Sequence, residues 1–487
     1  MNADILGSIL ALMSLAGAGI VLPRQVILEN WRALAIWGIA ALAFFLLKAP
    51  PLVYLLVSIM VLVLSPLCAE CKVALYVAVA ACLPFSFDWQ IPFPGINFLL
   101  ALLPAKTMAI LLLLPALFAT WRPHRMGTLA VVLLIAFSLY GSLLIGAEFS
   151  ATATIRFAID QFLVYALPYA AILCALRSEE DVDESVNALI VASVILAFIA
   201  LFSTLRQWNF YLYNFYTDER GGFIRVIATA NNHSLGMHLA VGLLLLEAVR
   251  ERLKIGFTRM WTLRFILLAA LFFTGSRGAQ SGFIVGAGLV FGLIAQSLAV
   301  RRLMLFGMIV GGIAAAYWLV FGEVSRIDET GNFAYRQELL RTTLAYLSEH
   351  PFFGDFNFAR SGRFDHLLQG QNIIDITNYF LQIALYFGLI GFVMVFTPFI
   401  GTGLRLISAI RRRASAKSQS LSRTQIGLFG SLVAWAVTAA TTSDIGITVH
   451  VGLVVCALGH AAYLVSRETS ADEMESAETL SASPVNG

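Results

Sequence analysis

Charge is scarce in this sequence. Only 13% of its 487 residues are Asp, Glu, Lys or Arg, where soluble domains carry about 25%. That shortage, with 59% hydrophobic residues and a mean hydropathy of +0.83, excludes an ordinary soluble domain. The net charge of +3 is too small to argue for nucleic acid. Cysteine is sparse as well, with five scattered residues. Cys68-Ala69-Glu70-Cys71 has CxxC spacing but no second pair, so the expectation is two ordinary thiols, not a zinc or redox centre. No long internal repeat is visible. The first apolar run has no small-residue cleavage site after it, so residues 4–22 read as a retained helix.

The chain therefore reads as an all-α polytopic membrane protein. Spanning segments need about 20 apolar residues, and about fourteen can be found, fifteen if each short one is kept. They fall at 4–22, 33–47, 52–67, 72–84, 98–120, 128–146, 157–176, 186–205, 232–249, 263–275, 279–298, 303–321, 376–400, 425–443 and 447–466, with 72–84 and 263–275 the weakest. Lys and Arg in short loops set the orientation. Arg122, Arg125, Arg250, Arg252, Lys254, Arg259, Arg301, Arg302, Arg405, Arg411 to Arg413 and Lys417 mark one side as cytoplasmic. Residues 85–97, 206–231, 276–278 and 322–375 then face outward. The division expected is an N-terminal bundle (1–321), a large periplasmic loop (322–375), C-terminal membrane helices (376–466) and an acidic, disordered cytoplasmic tail (467–487). Gly278, Gly282 and Gly286 lay a small-residue groove on one helix, which reads first as packing.

Ionisable residues near the outer ends of helices are costly, and so are candidates for function. Three groups qualify. Arg220 and Arg225 precede Asn231-Asn232-His233, and Arg277 sits in the turn Phe273-Thr274-Gly275-Ser276-Arg277-Gly278. The outer stretch holds Arg336, Glu338, Arg341, His350, His366 and Asp375. Tyr335 to Leu347 reads as an amphipathic helix with Leu339, Leu340, Leu344 and Leu347 on its apolar face, and Glu338 paired with Arg341. Asp375 reads equally as a cap for the helix that follows. Lys106 stands mid-segment and needs a partner, whereas Arg156 and Asp160 pair with each other at helical spacing.

Four pieces in order carry a resemblance. They are Arg225 before Asn231-Asn232, the Ser276-Arg277-Gly278 turn, Arg336 or Arg341 before His350-Pro351-Phe352-Phe353-Gly354, and Asn378-Tyr379-Phe380-Leu381-Gln382 followed by Gly388-Leu389-Ile390-Gly391. Over about 170 residues of the C-terminal half, the chain resembles the O-antigen ligase and Wzy-type polysaccharide polymerase superfamily. The resemblance implies a GT-C-like architecture and a glycosyltransferase of the bacterial inner membrane, active on the periplasmic side. Such enzymes move an oligosaccharide from an undecaprenyl diphosphate carrier to a sugar hydroxyl. Partners implied are that lipid-linked donor, membrane lipids and a chain-length regulator.

Arginine suits this chemistry, because its fixed fork of donors stays charged against a departing diphosphate. The residues expected to bind the diphosphate are Arg225, Arg277, Arg220, Arg336 and Arg341. Those expected to handle the proton are His366, Asp375 and Glu338. No DxD-like pair or outer His/Asp cluster invites a metal, so neither metal nor cofactor is expected. Ligase-type members carry a histidine before the Asn of the last motif, and here that position is Thr377. The departure leans toward a polymerase that extends a surface or exopolysaccharide. A ligase that joins the glycan to a lipid A-core acceptor and a polysaccharide transporter or flippase stay as alternatives.

Overall fold

The structure is a computed structural model. It describes residues 3–47, 49–83, 89–93, 96–148, 150–206, 219–220, 223–224, 232–295, 332–368, 374–413, 420–442 and 448–481, with isolated positions between 299 and 307. The fold is predominantly helical. Among the described residues seven helices are long and apolar enough to cross a membrane, and four shorter apolar helices accompany them. This is the build of a multi-pass membrane protein. The expected span 303–321 and most of the expected outer loop 206–231 lie outside the described residues.

Several expected boundaries shift for identifiable reasons. Residues 98–120 are not one span. Ile96–Leu102 is a strand paired antiparallel with Trp89–Phe93. The helix starts at Pro104, where a missing N–H costs nothing, and runs as Pro104–Ala119. Pro94-Gly95 between the strands was the overlooked turn signal. Lys106 is therefore in the first turn of its helix, not mid-span. Its Nζ bonds Asp160 Oδ1 at 2.6 Å, so Asp160 pairs across helices and not with Arg156 as expected. Each of these two helices carries a π-helical segment just beyond its member of the pair, at Ala109–Leu113 and Phe162–Ala166. Cys68 and Cys71, expected as separate thiols, form a disulfide. The last helix runs Thr448–Ser481, so residues 467–481 of the expected disordered tail continue it, while residues 482–487 lie outside the described residues. Ala, Met, Leu and Glu in that stretch are good helix formers.

The Arg277–Ile294 and Ser420–Ala439 helices cross at the three glycines. A Cβ on Gly278 would meet Thr441, on Gly282 the Ala434 carbonyl, and on Gly286 the Gly430 carbonyl. The packing reading of that groove holds. Helix Ser420–Ala439 is antiparallel to the last helix, because Trp435 abuts Gly452 while Gln425 bonds the Ala462 carbonyl. Gly278 and Thr441 thus lie at one end of the bundle. Arg125, bonded to Glu468, lies at the other.

Candidate active site

The helix Tyr379–Arg413 is broken at Gly388, whose φ is 63° and ψ −167°. An unbroken helix would set residues 379 and 396 about 25 Å apart. Instead the Tyr379 and Phe396 rings lie 5.6 Å apart and Phe380 is 4.7 Å from Phe396. Residues 379–387 therefore fold back along 389–413, and Gly388 is the apex. The expected continuous span 376–400 is corrected accordingly. The short arm starts deep, with Tyr379 beside Trp435, a residue stacked on Phe399 of the long arm.

The break exposes backbone groups, and the His350-Pro351-Phe352-Phe353-Gly354 turn satisfies them. Leu389 N donates to Pro351 O at 2.8 Å, Ile390 N to Phe352 O at 3.2 Å, and Asp355 N to Leu385 O at 2.7 Å. The approach is close enough to require two glycines. A Cβ on Gly354 (φ 66°) would sit 2.5 Å from Gly388 N, and one on Gly388 2.2 Å from Phe352 O. Two of the four recognition motifs thus form one interlock, which ties the outer stretch to the membrane helix.

Ahead of the short arm, residues 374–378 are non-helical and tightly turned, with Thr377 N donating to Asp375 O at 2.9 Å and Asn378 N to Ile376 O at 2.6 Å, and Ile376 and Tyr379 are buried. Non-helical backbone at this depth requires protein or a water-filled cavity around it. Asn378 Oδ1 accepts from Leu381 N at 3.1 Å and caps the arm. Asp375, offered as a cap, lies three residues earlier and does other work. Tyr335 OH donates to the Asp375 carbonyl at 3.0 Å, which holds the Asn332–Glu349 helix to this non-helical segment.

On that outer helix Arg336 senses Asp375 and Arg277 together. Although Arg336 is on the exposed side of its helix, partial desolvation is the main reason its guanidinium is held below its ordinary pKa. The Asp375 carboxylate opposes that shift and the Arg277 charge adds to it. Neither arginine has a salt bridge among the described residues. Arg277 opens the Arg277–Ile294 helix, where Ser276 is the N-cap and Gly275 (φ 62°) makes the turn. Asn232–Val249 starts beside it. Asn232 Nδ2 bonds the Thr274 carbonyl at 3.3 Å, and His233 Nδ1 lies 2.9 Å from Ser276 Oγ. Helix N-termini bring partial positive charge and free N–H groups. The arrangement sets two helix N-termini and the Arg277 cation side by side.

The remaining expected residues divide. Arg225 lies outside the described residues, and Arg220 is in a two-residue strand, Glu219–Arg220, paired with Phe223–Ile224. Glu338 and Arg341 sit about 160° and 140° around the helix from Arg336. There Arg341 is 3.9 Å from Glu338, as the spacing suggests, and His366 Nε2 is 3.7 Å from Glu338 Oε1. All three are about half exposed or more, at 68%, 48% and 52%. Such pairs are worth little. They form a separate, solvated cluster. The outer helix buries Leu339, Thr343 and Tyr346, whereas Leu344, expected on its apolar face, is exposed. Two polar residues went unselected. His233 was legible only as the neighbour of Asn232. Tyr335 gave no signal, because its role is a bond to a backbone 40 positions away. Among the described residues the one cluster with metal-ligand spacing is Cys68, Glu70 and Cys71, and its sulfurs are joined.

Residues 263–396 match the family model described as O-antigen ligase. This stretch is similar to the O-antigen ligase family. The match begins within the helix that leads to Arg277, includes the outer helix and the interlock, and ends on the long arm of the fold-back. It bears out the resemblance read from the motifs for that part of the chain, and places the stretch among glycan ligases and polymerases. No curated protein matches the chain.

Proposed function

We propose that this protein is a glycosyltransferase of the bacterial inner membrane that takes its glycan from a prenyl diphosphate carrier, undecaprenyl diphosphate by the resemblance. The acceptor hydroxyl oxygen attacks the anomeric carbon. A new glycosidic C–O bond forms as the bond to the carrier breaks, and the diphosphate leaves with the electron pair. Arg277 and Arg336, with the N-termini beside them, hold that leaving group. Electrostatic stabilisation aimed at developing charge is a large catalytic effect. Asp375 takes the hydroxyl proton, because it stands in the arginine cluster while Glu338 and His366 stand on the other flank. The positive-inside rule puts this end outside the cytoplasm. The observation that supports the reading is that Arg336, on the outer helix, lies within electrostatic reach of both Arg277 and Asp375, which come from separate parts of the chain.

Polymerisation of a surface polysaccharide is the favoured outcome, since Thr377 stands where ligase-type members have histidine. The test uses purified protein in liposomes with a lipid-diphosphate oligosaccharide. Longer glycans are expected from the wild type, with a loss of about 10²–10³-fold in Arg277→Ala and in Arg336→Ala. Transbilayer movement of the lipid with no change in glycan length would reject an enzyme in favour of a transporter.

A further inference from the structure

The tip of the outer stretch is apolar and uncovered. Phe352 and Phe353 are 58% and 59% exposed, and Leu389 beside them is 53% exposed. The interlock fixes their place, because Pro351 O and Phe352 O accept from Leu389 N and Ile390 N at the apex of the fold-back. Below them the long arm presents Leu389, Val393, Ile400 and Leu404, all about half exposed or more. These four fall within about 60° around the helix, so they form a single lipid-facing stripe. The two phenylalanines extend that stripe past the end of the helix.

Length explains why an extension is needed. From Leu389 to Arg405 the arm rises about 24 Å, and to Arg411 about 33 Å. A hydrocarbon core is about 30 Å thick. If Arg411 marks one boundary, Leu389 reaches the other with nothing to spare. If the Arg405 charge marks it, about 6 Å of hydrocarbon at the far side has no helix against it. Phe352 and Phe353 occupy that level. Aromatic rings favour the boundary between hydrocarbon and headgroups.

We infer that Phe352 and Phe353 are seated in the lipid leaflet at the Arg277 end, so that the outer helix is fixed to the membrane surface as well as to the helix apex. The occupant of this face is lipid. The outer helix then holds Arg336 at a set height over the Arg277 turn, where a lipid-borne headgroup would arrive. This inference concerns the membrane surface and holds whatever reaction the site performs.

The test is a nitroxide depth measurement on full-length protein in phospholipid vesicles. A label is placed at Phe353→Cys, with Ala345→Cys on the exposed face of the outer helix as the water-facing reference. The unsubstituted protein gives the background, its three free cysteines being buried. The label at 353 is expected to collide with oxygen several-fold more than with a water-soluble nickel complex, and the label at 345 the reverse. Phe353→Trp, with quenching by brominated lipid, repeats the measurement with a side chain close in size to the native one. Equal water access at 353 and 345, or no quenching, overturns the inference. So does spin–spin broadening at 353, which would show a second copy of the chain against the tip.

Discussion

The two ends of the bundle treat arginine in opposite ways. At the end predicted to be cytoplasmic, four cations among the described residues meet carboxylates. Arg125 is 1% exposed, donates to the Leu173 and Leu176 carbonyls, and forks onto both oxygens of Glu468. Arg252 pairs with Asp183, Arg423 with Glu251, and Arg264 with Glu247 at 2.5 Å. At the other end Arg336 feels the Arg277 charge, and the Asp375 carboxylate opposes it. Like charges held together cost stability unless an anion joins them. Among the described residues, the first end pairs four arginines with carboxylates, and at the second Arg277 and Arg336 have no salt bridge.

The strongest way to break this contrast is to make the second end resemble the first. Arg277→Glu should pair with Arg336, leave the protein as stable as the wild type, and abolish glycan transfer by about 10³-fold. Melting and product analysis on one preparation check both halves. Gly388→Ala comes next. Its Cβ meets the Phe352 backbone, and φ 63° is strained for alanine. Transfer should fall by about tenfold, an interlock several residues from the arginines acting through positioning. Limited proteolysis should cut the outer stretch sooner than in the wild type.

Arg125→Ala sharpens the contrast from the other side. It leaves two carbonyls without their donor and should cost about 3 kcal/mol or more, read as a lower melting temperature. Transfer per folded molecule should stay unchanged. The smallest effect belongs to His366→Ala. Its cluster is solvated and on the far flank of the outer helix, so turnover should change less than about twofold.

Much of the fold was legible, and the misses share physical causes. Hydropathy found most helices because the bilayer demands apolar length. It misread 98–120 because a short apolar run looks alike in a strand and a helix. It joined 376–400 because Gly388 breaks the helix without interrupting its apolar character. That break is stabilised by bonds to residues 351–355, 30 to 38 positions earlier, which no local pattern reports. At the site, Arg277 was visible as a lone cation on the wrong side, and Arg336 as one of two arginines on an outer helix. Choosing between Arg336 and Arg341 took the helix's rotation, since Leu344 and Tyr346 gave an ambiguous apolar face. The resemblance named the Pro351–Gly354 and Gly388–Gly391 motifs, but their bearing on each other is a matter of backbone contact.

The central claim is that two arginines from separate parts of the chain hold one diphosphate. Calorimetric binding of a prenyl diphosphate to the detergent-solubilised protein tests it most directly, with the prenyl monophosphate as comparison. The account predicts preference for the diphosphate, a loss of about tenfold or more in Arg277→Ala and in Arg336→Ala, and a double variant no weaker than either alone by the full product. Wild-type affinity in both single variants would contradict it.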